Sequence, residues 1–229
     1  MVLVVALPAL AAVVAFVFAT QLARQYLRRR RSHALAWAMA LALFGVASAM
    51  VTIGVATGWS TAIFGTYWIA GALLNVPLLA VGQMMLLDPR RSVLYWTLAG
   101  LAAVWAVTFT LMADFNTAVL AQESARHSIP LGSDVLEETI AYGLAGPFSY
   151  TFAIVVVGSV WSAVRSRRWS VLLIALGVFI AALGSFAVAT GRDLLFSVFL
   201  TSGVAIMYLG FLAASRAPRP RGSVQAAQA

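Results

Sequence analysis

Few residues of this chain could do chemistry, and those that could are set at helical spacing within apolar runs. Tyr67, Gly71, Asn75, Leu78 and Gly82 recur every three to four residues, so on a helix they share one face. Pro77 lies in the same run. It has no N–H to donate, and its ring clashes with the carbonyl of Leu73, leaving that carbonyl free. A free carbonyl beside the Asn75 amide, with Gln83 two turns further on, suits holding a ligand by hydrogen bonds. The same residues also read as packing, with Asn75 bonded to a neighbouring helix and the glycines allowing close approach. Ser197, Thr201 and Tyr208 make a second polar stripe, which either faces the same interior or returns its hydroxyls to its own backbone. Gly177, Ala181 and Gly184 form a small-residue seam suited to helix packing.

Bond-breaking chemistry finds little support. Cysteine is absent, so there is no disulfide, thiolate nucleophile or thiolate metal site. Lysine is absent too, which excludes a Schiff base. No H-E-x-x-H, G-x-S-x-G or phosphate-cradling glycine loop occurs. Glu137 and Glu138 are adjacent, so on a helix they point about 100° apart and pair badly as acid and base. His33 and His127 fall on opposite sides of the topology derived below, so they cannot share a metal. No metal or cofactor is expected.

The elements carrying these residues are set by composition. Hydrophobic residues are 62% of the chain and charged ones only 10%, against about 25% charged in ordinary globular domains. Such a chain uses lipid as its solvent. The apolar runs predict seven transmembrane helices at about 2–23, 33–57, 61–87, 92–113, 141–164, 170–190 and 194–214. An outer loop at 114–140 carries most of the acids, and a polar tail at 215–229 reads as disordered. In the loop, Asp134 and Glu137 stand at capping-box spacing, which predicts a short amphipathic helix bearing Val135, Leu136 and Ile140.

Orientation follows from arginine. Carrying one Arg to mid-bilayer costs about 2.5–3.5 kcal/mol, and Arg24, Arg28, Arg29, Arg30 and Arg31 follow the first run directly. They hold its end in the cytoplasm and put the amino terminus outside. Arg90, Arg91, Arg165, Arg167 and Arg168 then fall inside as well, with the carboxyl terminus. The inside sums to +12 and the outside to −4, which together give the net charge of +8. These arginines read as topology determinants beside lipid headgroups. No basic face interleaved with aromatics is present, so no nucleic acid is expected as partner.

The chain also resembles itself. Val55-Ala56-Thr57-Gly58 recurs as Val188-Ala189-Thr190-Gly191, and Pro8 with Arg28-Arg29 recurs as Pro147 with Arg167-Arg168. Phe64, Tyr67 and Gly71 match Phe196, Phe199 and Gly203. Spans one to three then read as a parallel copy of spans five to seven, joined by the fourth, although Ala-, Val- and Leu-rich spans also align by chance. This 3+1+3 pattern, with Pro8 and Pro147 in spans one and five, resembles the SWEET transporters, and the resemblance implies a site between the halves. Their Pro-Gln pairs are Pro8-Ala9 and Pro147-Phe148 here, and of their paired Asn residues Asn75 is kept while its counterpart is Met207. The segments RRRRSHALAWA and TYWIAGALLNVPLLAVGQMMLLDPRR resemble uncharacterised seven-span integral membrane proteins of GC-rich actinobacteria, a likeness that implies no activity.

The expectation is therefore an all-α, seven-span protein of the bacterial cytoplasmic membrane. It would bind or transport a small or lipid-like molecule between its two three-helix halves, with Asn75, Tyr67, Gln83, Thr201 and Tyr208 lining the site. The alternatives are a sensory or accessory module working through a membrane or cytoplasmic protein partner and, third, a lipid-acting enzyme.

Overall fold

The computed structural model describes residues 2–137, 139–166 and 170–216, which form helices and no strand. Expectations resting on Glu138, Arg167, Arg168 and the 217–229 tail lie outside the described residues. In chain order the elements are α1 (Val2–Arg29), α2 (Ser32–Thr57) and a composite third span. That span consists of α3 (Thr61–Tyr67), a π segment (Trp68–Leu74) and α4 (Asn75–Leu87). A 3-10 turn at Pro89–Arg91 leads into α5 (Ser92–Leu111), and α6 (Thr117–Arg126), α7 (Gly132–Val135) and α8 (Ile140–Gly143) follow. The last three are α9 (Ala145–Ser166), α10 (Ser170–Ala189) and α11 (Asp193–Arg216). Seven of the described helices, counting the third span as one, are long and apolar enough to cross a membrane. The chain is a multi-pass membrane protein.

Its two ends differ in chemistry. One carries 58–60, 112–137, 139 and 190–192 and is called here the loop end. The other carries 30–31 and 88–91, with Arg165 near the close of α9, and is called the arginine end. The helix of α1 continues through Arg24 and Arg28 to Arg29, past the predicted end of the apolar run. A left-handed residue, Arg30 at φ 50°, then turns the chain with its guanidinium over the Tyr26 ring. In the next turn at this end, Asp88 accepts from the Arg90 amide and pairs with Arg91 at 3.4 Å.

Six spans close a ring. Each of α1, α2, the third span, α9, α10 and α11 packs on the next, and α11 returns to α1. The fourth span, α5, stands outside it against the third span and α8. Val93, Leu98, Leu101, Val104 and Trp105 of α5 are all more than half exposed, a surface that needs lipid as solvent. Since lipid tails are as apolar as leucine, close packing rather than burial from water holds the ring together.

The third span departs from a regular helix for a reason visible in its sequence. A four-residue step in an α-helix drifts about 40° around the axis, so Tyr67, Gly71, Asn75 and Leu79 would wind off one face. The π segment has a wider turn and takes up that drift. It also spreads the turn ahead of Pro77, whose ring would otherwise strike the Leu73 carbonyl. The stripe below Asn75 therefore runs through Leu79 and Gln83. Leu78 and Gly82, expected on that face, turn away, and Gly82 meets the Trp37 ring.

The loop segment also departs from expectation. Asp134 caps nothing: α7 starts after Leu131 with no side-chain cap. The caps used instead are Asn116, which accepts from the Val119 amide at the start of α6, and Thr139, which accepts from the Tyr142 amide at α8. A cap needs its residue in extended backbone just before the helix. Thr139 has that conformation, whereas Asp134 is already inside a turn.

Candidate functional site

Inside the ring, toward the loop end, lies a cavity of about 570 Å³, within the range typical of small-molecule sites. Phe44, Ala47, Ser48 and Val51 of α2 form one wall, and Tyr67, Trp68, Gly71 and Asn75 of the third span the next. Phe152 of α9, with Ala181, Val188, Phe196 and Leu200 of α10 and α11, completes the circuit. Pro130, Leu131, Gly132 and Ser133 cover it at the loop end.

Aromatic rings hold this cover in place. Trp68 stacks on Phe64 at 6.0 Å and on Tyr142 at 6.2 Å, while its indole N–H donates to the Ala141 carbonyl at 3.2 Å. Its ring lies so close over Gly132 that a Cβ there would sit 2.1 Å from it. Trp59 donates through its indole to the Ser128 carbonyl at 2.8 Å, and His127 donates through Nδ1 to the Val55 carbonyl at 2.9 Å. The Ile129 amide donates to the carboxylate of Asp193, the first residue of α11, at 3.4 Å. The 114–140 loop is thereby tied to α2, the third span and α11.

Most hydroxyls near the cavity serve their own helices. Ser48 donates to the Phe44 carbonyl at 2.8 Å and Ser149 to the Ala145 carbonyl at 2.6 Å, the four-residue back-bond that spares a hydroxyl in lipid. The amides behave differently. The Asn75 side chain is only 8% exposed, and its Oδ1 has no hydrogen-bond partner. Gln83 is 3% exposed, and its Nε2 is likewise unpartnered. The Thr110 hydroxyl on α5 is the third such atom among the described residues, and it lies off the cavity. An unpaired buried polar group costs about 1–3 kcal/mol, so two of them along one helix call for a reason.

Of the five residues expected to line one site, the structure brings Tyr67 and Asn75 together on the cavity wall. Gln83 lies two turns, about 12 Å, toward the arginine end. There it borders a separate void of about 30 Å³ with Phe18, Leu22, Trp37 and Leu41. Leu79, Val178 and Met207 border both spaces and form the apolar layer between them. Thr201 and Tyr208 turn to α1 instead. The Thr201 hydroxyl donates between the carbonyls of Leu7 and Ser197, each at 2.8 Å, and Tyr208 accepts from the Gln21 amide. These two residues hold α11 to α1 and do not line the cavity. Tyr208→Phe is accordingly expected to cost about 0.6–1.7 kcal/mol of stability, the range for hydrogen bonds between membrane helices, and to leave ligand binding unchanged. Thermal unfolding in detergent with and without Gln21→Ala, as a double-mutant cycle, measures it.

The residues that sequence reasoning missed are Trp68, Tyr142 and the 130–133 cover. Trp68 and Tyr142 carried a usable signal, because each is an aromatic one residue from a predicted helix face or span start. Their stacking partners are distant in sequence, so the ring-on-ring contacts had no local signature. No family model, no curated protein and no solved structure matches this chain, and the chemistry of the site is therefore read from its own residues.

Proposed function

We propose that this protein resides in the bacterial cytoplasmic membrane with its loop end outward, and that it binds and carries a small or lipid-like molecule in the cavity beside Asn75. The single observation that carries this reading is the Asn75 amide, which borders a ligand-sized space and takes no hydrogen bond at its oxygen from any neighbouring helix. Had Asn75 served packing, a neighbouring helix would satisfy it.

The order of the ring adds support. In the repeat read from the sequence α1 would correspond to α9, α2 to α10 and the third span to α11, an exchange with which the order of the ring is compatible. The cavity would lie between two three-helix halves, as in transporters built from parallel repeats. Met207, the repeat counterpart of Asn75, borders the same cavity. The apolar layer of Leu79, Val178 and Met207 would be the barrier that a carried molecule must pass on its way to Gln83 and the arginine end.

Asn75→Ala tests the proposal. Protein purified in native-lipid nanodiscs is expected to retain a small molecule that mass spectrometry detects after denaturation. The variant should retain roughly a third to a tenth as much, for the loss of one hydrogen bond, with membrane abundance unchanged. A fall in abundance with retention intact would instead assign Asn75 to packing. Reconstitution of the lone chain into liposomes separates carriage from sensing. Movement of the retained molecule supports carriage, and a stoichiometric protein partner with no movement supports a sensory or accessory module.

A further inference from the structure

The walls of the cavity carry information about what it would accept. None of its lining residues is charged; the nearest acid in sequence, Asp134, follows the lining residue Ser133 and takes that residue's hydroxyl at 2.8 Å. An anion would enter without a counter-charge and with the Asp193 carboxylate near enough to act on the lining Tyr67, and an unpaired charge in a poorly solvated space is heavily penalised. The uncommitted polar groups are equally sparse. Ser48 and Ser149 have given their hydroxyl protons to their own helices and Trp68 its indole proton to Ala141. That leaves the Asn75 amide, with the phenols of Tyr67 and Tyr142, on the side of the third span and α8, and the single Ser185 hydroxyl on α10. The opposite side, formed by α10 and α11, presents Val178, Ala181, Val188, Phe196, Leu200 and Met207.

We infer that the cavity takes an amphiphile without negative charge, with a small polar end at the Asn75 amide and an apolar body lying against α10 and α11. The inference rests on the cavity being a ligand site and narrows it to a class. A sugar fits poorly. It brings a hydroxyl on nearly every carbon, and each one left without a partner gives up the hydrogen bond it had in water. A molecule with a single polar group needs one partner in the cavity, and the Asn75 amide with the two phenols beside it can supply that. The apolar body is held against α10 and α11 by close contact, since a molecule arriving from lipid has no burial from water to gain. Such molecules partition into bilayers, where a protein of this architecture would meet them.

Two dyes with one skeleton test the class. N-phenyl-1-naphthylamine is neutral with a single N–H, and 1-anilinonaphthalene-8-sulfonate adds a fixed negative charge. Each is titrated against the full chain in lipid nanodiscs, with empty nanodiscs subtracted and energy transfer from tryptophan as the readout. The neutral dye is expected to bind saturably, and the sulfonate at least roughly tenfold more weakly. Excess glucose should not displace the neutral dye. Asn75→Leu should weaken the neutral dye by roughly threefold to tenfold, the loss of one hydrogen bond. Ala182→Phe, which fills the cavity from α10, should abolish binding, and Ser185→Phe does the same from one turn away should the first variant fail to fold. Equal or tighter binding of the sulfonate, or displacement by glucose, would overturn the ligand class. If the filling variants also removed that binding, the cavity would stand as a site of another class. If neither dye bound and the filling variants changed nothing that co-purifies, the site itself would fall, and the class with it.

Discussion

Gly177→Val is expected to drive α10 away from α11 and to lose most of the protein from the membrane. Gly177 and Gly203 face each other across these helices with no side chain between. A Cβ built on Gly177 would lie 2.5 Å from the Gly203 carbonyl oxygen and 2.7 Å from the Met207 backbone nitrogen. Seen from the other side, a Cβ on Gly203 would lie 2.7 Å from the Gly177 carbonyl oxygen. These obstacles are backbone, which cannot rotate aside as a side chain would. The cost should therefore reach or exceed the upper end of the ~1–3 kcal/mol usual for overpacking. Without a hydrophobic drive between helices in lipid, little else holds this pair together. Gly184→Ala, on the same seam, is the contrast: its Cβ would press on the Phe196 ring at 3.2 Å, which can give by a few tenths of an ångström, and meet the Phe196 carbonyl oxygen at an ordinary contact of 3.7 Å. Membrane abundance and thermal midpoint of the two variants measure the difference, and equal values would mean that the helices are not this close.

Trp68→Ala has the other large effect expected, and it should couple stability to the site. The indole joins Phe64, Tyr142, Ala141 and Gly132, so its removal releases the cover of the cavity in a single change. Truncating a buried tryptophan costs about 3–5 kcal/mol. Part of that should appear as local opening, with hydrogen exchange at 130–142 accelerated well before the spans themselves exchange. Trp68→Phe keeps a ring for stacking and gives up the bond to Ala141, so about 1 kcal/mol is expected there. Should both variants exchange at the wild-type rate in the loop, the aromatic cluster would not be what holds the cover down.

How far the fold was legible in the sequence depends on the kind of information each part needs. The number of spans was, because apolar length and the high cost of moving arginine through lipid are local properties. The third span at 61–87 matches the structure residue for residue, since Trp59 and Ser60 at one end and Asp88 and Pro89 at the other end it sharply. The first helix overran its predicted close at 23 because arginine and glutamine propagate a helix readily once it has left the hydrocarbon. Residue type likewise picked out Asn75, as an amide has no back-bond as convenient as a hydroxyl's and must find a partner elsewhere.

Which polar groups would meet was decided only in three dimensions. In water, an apolar stripe shows which face of a helix turns inward, but α2, α4, α5 and α10 are apolar all round and carry no such mark. Rotation about each axis was therefore set by contacts between spans. The Gly177–Gly203 approach sets α10 on α11, while Thr201 and Tyr208 turn toward Leu7 and Gln21 of α1 and away from Asn75. A π turn of seven residues moved the face of the third span from Leu78 and Gly82 to Leu79 and Gln83; Pro77 marks where a regular helix is strained, but its answer, a wider turn over the apolar run WIAGALL, was set by the packed structure. Composition and charge determined how many times the chain crosses. Close packing between backbones, which no stripe of residues encodes, determined what the crossings enclose.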